Sequence, residues 1–432
     1  MAEDGPVIDA RSVRGEWKYI ALAAAICLPA AFLRGGVFSI GTEVDTLLFG
    51  VAILGAAFLL SWGAEVAQLD ISQALAIAFL AFIAVLPEYA VDLVFAWKAG
   101  RQDLAEKAGS LLPTCGVTDG KVDHCRDLAI ANMTGANRLL IGIGWAVVVL
   151  IWWRKSGQKQ VQLSPRRRTE IGFLLLANVW AFSIPIRGHV SLIDFFVLVT
   201  IFVAYVWHAA TQPSEEPELI GPPLAVAALP RRKRRLFTLA MFVFAAGMIL
   251  MSAEPFADGL VHTGEKLNIN KFLLVQWLAP LASEAPEMII AVLFVLRRKA
   301  EAGLGTLVSS KVNQWSLLVA TIPLVYAIAH RGLSPMSLDT RQVEEVLLTA
   351  AQSVFAVAVL ANLEIGRGEA MVLLVTFLAQ FGFESTTVRF GFSGFYIAAA
   401  LYVVARRREN RTGLVEAARA ALRPPWRARS GP

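Results

Sequence analysis

Apolar runs long enough to cross a bilayer recur between residues 17 and 405, and they exclude almost every fold except a bundle of membrane-spanning helices. Hydrocarbon offers the backbone no hydrogen-bond partner, so each run must close its own bonds as a helix. About twelve spans are expected, each near the ~20 residues that cross ~30 Å. They lie at 17–33, 44–62, 71–98, 127–153, 169–186, 190–209, 236–254, 270–296, 304–328, 344–362, 369–383 and 391–405. With 56% hydrophobic and 17% charged residues, the chain has no segment suited to an independent soluble catalytic domain. The first run is read as a retained helix. Arg34-Gly35-Gly36 follows it, where a signal peptide would show a small-residue cleavage site.

The basic residues cluster in short loops and in the C-terminal tail. Arg154/Lys155, Arg166 to Arg168, Arg231 to Arg235, Arg297 to Lys299 and the tail from Arg406 fall on one side when twelve spans are threaded, together with Arg11, Arg14 and Lys18. The positive-inside bias makes that side cytoplasmic, with both termini inside, and makes lipid, not nucleic acid, the partner of these basic runs. Opposite loops are poorer or mixed, such as 253–271 with Glu254, Asp258 and Glu265. Cys115 and Cys125 fall in the longest outward loop, 98–126. They either form a disulfide that closes a small loop or remain two free thiols. Cys27 lies in the first span and is read as a small core residue. No His/Cys cluster has zinc spacing and no phosphate-binding glycine loop is present, so no cofactor is expected.

Two of the spans carry a Pro-Glu pair, Pro87-Glu88 and Pro286-Glu287, one in each half of the chain. A carboxylate at the bilayer centre costs about 2.5–3.5 kcal/mol on insertion scales. The preceding proline withholds an N–H and frees a backbone carbonyl. The halves match in order beyond these pairs. Each Pro-Glu helix is followed by one that opens with small and polar residues, AIANMTGANRLLIGIG from Ala129 and GLGTLVSSKVNQWSLL from Gly303. Thr169-Glu170 opens the next helix in one half and Glu344-Glu345 in the other, and VLVT at 197–200 matches LLVT at 373–376. The first unit turns on the opposite side of the membrane from the second, so the repeats are inverted, an arrangement suited to alternating access around a midplane site.

These residues resemble the alpha repeats of the sodium/calcium exchanger family, within the cation/calcium antiporter superfamily. The family's repeat runs G-[ST]-S-x-P-E on one helix and G-N-x-x-G-S-N at the start of the next. This chain reads IAVLPE at 83–88 and ANMTGAN at 131–137, then ASEAPE at 282–287 and GTLVSSK at 305–311. The resemblance covers roughly 44–383. It implies an all-α polytopic membrane protein of two inverted five-helix repeats with extra N- and C-terminal helices. The parts are an N-terminal segment and helix (1–43), the first repeat (44–209), a cytoplasmic linker (210–235), the second repeat (236–383), and a final helix with a basic tail (384–432). It implies a secondary antiporter, not an enzyme, exchanging Ca2+ for Na+ or H+ in a prokaryotic plasma (inner) membrane. Glu88 and Glu287 would be the central metal ligands, with oxygens from Asn137 and Ser283. Na+/H+ exchange on the same fold, or a transport-inactive protein that kept the fold, are the alternatives.

Four charged residues depart from the family's pattern. Asp92 lies one turn after Glu88, Glu284 lies three residues before Glu287, Arg138 follows Asn137, and Lys311 stands where the family has its second Asn or Asp ligand. Four acids against two bases leave the formal charge that two glutamates alone would have. Cross-pairing, for instance of Lys311 with Asp92 or Glu284, would make the additions tolerable. These four residues are either structural bridges or charge-tuning groups of the site. In the second case Lys311 is a built-in cation that replaces one carried Na+ or serves proton coupling.

Overall fold

The computed structural model describes residues 13, 15–70, 86–109, 115, 117–118, 121–122, 124–211, 219–267, 270–380, 383 and 385–423. The first half of the expected third span (71–85), Arg11, Arg14 and residues 212–218 of the expected linker lie outside them.

Among the described residues, 10 helices are long and apolar enough to cross a membrane. The other two expected spans are helices as well. One is described from Leu86 to Lys107 and the other is the short Arg367–Ala379. The helices are α1 (Trp17–Ala25), α2 (Leu28–Arg34), α3 (Thr42–Ala67), α4 (Leu86–Lys107), α5 (Cys125–Leu139) and α6 (Ala146–Ser156). After them come α7 (Arg168–Ala181), α8 (Ser183–Arg187), α9 (Leu192–Thr211), the short α10 (Pro222–Ala227), α11 (Arg231–Leu267) and α12 (Lys271–Leu296). The chain closes with α13 (Ala300–Asn313), α14 (Val319–His330), α15 (Thr340–Leu360), α16 (Arg367–Ala379), α17 (Thr386–Arg406) and α18 (Arg408–Leu422).

Several boundaries differ from those read in the sequence. The first span is two pieces, α1 and α2, with the break at Ile26-Cys27 just before Pro29. Helix α11 continues well past 254 and runs 37 residues with Pro255 inside it, so much of the expected loop 253–271 is helix. At 1.5 Å per residue such a helix is about 55 Å long, well beyond the ~30 Å of hydrocarbon. Helix α4 likewise runs on to Lys107. Cys115 and Cys125 are joined by a disulfide where the chain turns back into α5. The basic tail is helical from Arg408. Its Gly413 lies against the Ala361 carbonyl so closely that a Cβ would meet that oxygen at 1.9 Å, and Asn410 caps the carbonyls of Ala358 and Val359.

The inverted repeat is visible in the backbone. Helices α5 and α6 are joined by a π turn, Leu140–Trp145, and α13 and α14 by another, Gln314–Leu318. The two π turns start at equivalent positions, related by the same sequence offset as Asn137 and Lys311. Two small antiparallel sheets bind the repeats together. One pairs β1 (Gln160–Gln162) with β4 (Glu364–Gly366), and the other pairs β2 (His189–Val190) with β3 (Met336–Ser337). One span separates β1 from β2, so the sheets lie on opposite membrane faces. Exchanging the repeats maps one sheet onto the other. This is an integral membrane protein of two inverted five-helix repeats with an added helix at each end.

Candidate cation site

Helices α4 and α12 bring the two Pro-Glu pairs together. Pro87 lies on α4, and Pro280 and Pro286 lie inside α12. A proline has no N–H for the carbonyl four residues back, so Gln276 and Ala282 lose their helical donors. The freed Gln276 carbonyl faces α5 at Gly135, where a Cβ would stand 1.7 Å from that oxygen. Only glycine permits this approach, which sets α5 directly beside the broken helix.

Glu88, Glu284 and Glu287 are all buried, and each offers a carboxylate oxygen within 4.8 Å of the other two. Ser283 and Glu284 lie within hydrogen-bond reach of Glu88. Gln314, at the start of the second π turn, donates to Glu284. Asp92 is also buried and takes a hydrogen bond from Asn132 at 2.8 Å. Among the described residues, all four acids keep a buried oxygen with no hydrogen-bond partner, as do Gln314 and Asn132. Buried polar atoms are rarely left so. Six orphaned acceptors around one cluster form an environment that wants protons or a hard cation. Oxygens bound to a common Ca2+ at 2.3–2.6 Å are at most about 5 Å apart, so these three acids can share one ion.

Lys311 bonds to neither Asp92 nor Glu284. Its Nζ donates to Asn137, to the backbone carbonyl at 3.0 Å and to Oδ1 at 2.6 Å, and lies 4.7 Å from the centre of the Trp315 ring. Arg138 turns away from the acidic trio. It pairs with Glu345, donates to Gln380 at 3.0 Å and stacks on Trp277. Glu345 also pairs with Arg341 and Arg389 and accepts from Gln276 at 3.0 Å, so Arg138 belongs to a second buried ionic cluster. With Arg138 engaged there, four carboxylates face one ammonium, a formal charge of −3.

Sequence reasoning missed Gln314, Asn132, Glu345 and Arg389. Gln314 follows Lys311 by three residues, so it shares a helix face with it, and that spacing was the available signal. Arg389 comes from the added helix α17, which the repeat pattern does not cover.

The sequence profile described as "Sodium/calcium exchanger protein" matches residues 46–211 and 237–384. Among solved structures, one described as the H+/Ca2+ exchanger CAX superposes with a TM-score of 0.86 at 41% sequence identity, covering 95% of this chain and 98% of that one. The sodium-calcium exchanger NCX_Mj, soaked with 2.5 mM Na+ and 1 mM Sr2+, superposes with a TM-score of 0.52 at 16% identity, covering 80% of this chain and 100% of that one. The second likeness is one of fold. No curated protein sequence matches the chain.

Proposed function

The chain belongs to the sodium/calcium exchanger family, and on that premise we propose that it is a secondary antiporter exchanging Ca2+ for H+ by alternating access. The observation that carries this reading is the buried trio Glu88, Glu284 and Glu287, with oxygens close enough to ligate one ion and one orphaned oxygen on each. Two carboxylates ~4.8 Å apart repel by about 3 kcal/mol at an effective dielectric of 20. The trio therefore needs a cation or protons in every state of the cycle. A divalent ion reduces the formal −3 to −1, and protons on the same oxygens do so when it leaves. One set of ligands thus binds both ions, and competition for it couples their movements.

In this reading Glu88, Glu284 and Glu287 ligate Ca2+, Ser283 adds an oxygen, Asp92 tunes the charge, and Asn137 holds Lys311. The likeness to a protein described as an H+/Ca2+ exchanger favours H+ over Na+ as the counter-ion. The inverted repeats supply two similar halves that can rock about the shared site. The clustered lysines and arginines support a cytoplasmic location for both termini in a prokaryotic plasma membrane. Ca2+ flux into proteoliposomes under a pH gradient tests the function. Flux that Glu88→Gln and Glu287→Gln each abolish supports these ligand roles, and normal flux in either variant removes that residue from the mechanism.

A further inference from the structure

Lys311 and Asn137 hold equivalent positions in the two repeats, and they touch. Each stands three residues before its π turn. Lys311 is fully buried, and both its hydrogen-bond partners are neutral oxygens of Asn137, one from the backbone and one from the side chain. The Trp315 ring covers the ammonium from another side. Oxygens of this kind are the ligands a hard monovalent ion takes, and an aromatic face also attracts a cation. Glu284, whose charge acts on Lys311, belongs to the cation site itself and is bonded to Gln314 on the helix that continues from Lys311.

We propose that the Lys311 ammonium is a tethered cation that fills a monovalent-ion subsite beside the acidic trio, and that it thereby excludes Na+ from the exchange cycle. The proposal rests on the antiport reading above. The ammonium carries the charge of one Na+, but a covalent bond keeps it from crossing the membrane. The asymmetry of the repeats locates the effect. Asn137 presents an oxygen to the subsite, and its mate presents the ion. An asparagine at 311 would make the repeats alike there, with amide oxygens from both sides facing a space that holds no fixed charge. Na+ would then have ligands and the nearby charge of Glu284.

The test compares wild type with Lys311→Asn and Lys311→Gln, which supply an amide oxygen, and with Lys311→Met, which removes the charge and supplies none. Thermal stability of the purified proteins is measured in NaCl against choline chloride at equal ionic strength. Ca2+ flux in proteoliposomes is measured under a Na+ or a pH gradient. NaCl is expected to stabilise at least one amide variant but neither wild type nor Lys311→Met, and the Na+ gradient to speed that variant's Ca2+ flux about five-fold or more. Na+ stabilisation or Na+-driven flux in the wild type overturns the proposal. So does indifference to Na+ in every amide variant that folds. Absence of Ca2+ flux in the wild type under every gradient refutes the antiport reading instead, and the Na+ stability comparison still decides the subsite.

Discussion

Replacing Glu345 with glutamine is expected to destabilise the protein while leaving the acidic trio intact. Glu345 pairs with Arg138 and Arg389 inside the helix bundle, pairs with Arg341 nearer its edge, and accepts a hydrogen bond from Gln276. Side-chain exposure is 1% for Arg138, 4% for Arg389 and 0% for Glu345. The substitution leaves Glu344 as the one carboxylate of the cluster facing three guanidinium groups. Removing one partner of a buried pair costs about 3–5 kcal/mol, because the other charge stays buried without compensation. The glutamine oxygen still accepts one of the lost bonds, which places the loss near 3 kcal/mol. Thermal unfolding of the purified variant reads it out. Arg341→Gln is the comparison, since Arg341 is 26% exposed and water can replace its bonds. Its loss is expected to stay below about 1 kcal/mol. A Glu345→Gln variant no less stable than Arg341→Gln would refute the reasoning.

Gly135→Ala places a methyl 1.7 Å from the Gln276 carbonyl, a clash with backbone that no side-chain rotation relieves. It is expected to exceed the ~1–3 kcal/mol of ordinary overpacking and to appear as a collapse in the yield of monodisperse protein. Reducing the Cys115–Cys125 bridge, which spans a sequence separation of 10, is expected to cost about 2–3 kcal/mol, measured as a fall in unfolding temperature with reductant. Asp70 accepts from Arg234 at 2.7 and 3.0 Å. Burial pushes its carboxyl up, but Arg234 and Arg235 outweigh this and hold it below the usual carboxylate range. Its folded value being depressed, its contribution is complete above the unfolded value of about 4 and fades as pH falls through the folded one. Asp70→Asn is therefore expected to lose about 1 kcal/mol near neutral pH and almost nothing in strong acid, as unfolding curves at the two pH values can check.

The sequence carried the fold further than it carried the electrostatics. Span lengths, the repeated Pro-Glu pairs and the matched helix openings are local properties, and a bilayer leaves few other ways to satisfy them. Glu88 and Glu287 stood out as intramembrane acids, because an acid inside an apolar run has few innocent explanations, whereas Glu284 read only as a structural bridge or a charge-tuning group and its place beside them was not legible. Pairing was not legible. Arg138 directly follows Asn137, yet one residue along a helix turns a side chain by about 100°, so Asn137 meets Lys311 while Arg138 faces Glu345. Lys311 meets an amide because its repeat mate stands opposite, which depends on how two helices distant in sequence cross. Arg389 was hidden for another reason. It lies on the added helix α17, and nothing in the repeat pattern tells where that helix docks. The continuation of α11 past 254 was missed because its charged residues read as a loop, while a helix longer than the bilayer is thick can carry them outside the hydrocarbon.

The central claim, that Ca2+ and protons compete for the same three carboxylates, is tested most directly by proton release. Ca2+ is added to purified protein in a weakly buffered detergent solution, and a pH-sensitive dye reports the protons displaced. The account predicts release that saturates with Ca2+, at least about one proton for each ion bound, and that disappears in Glu88→Gln and Glu287→Gln. Saturable Ca2+ binding with no proton release, or release that survives both substitutions, would contradict it.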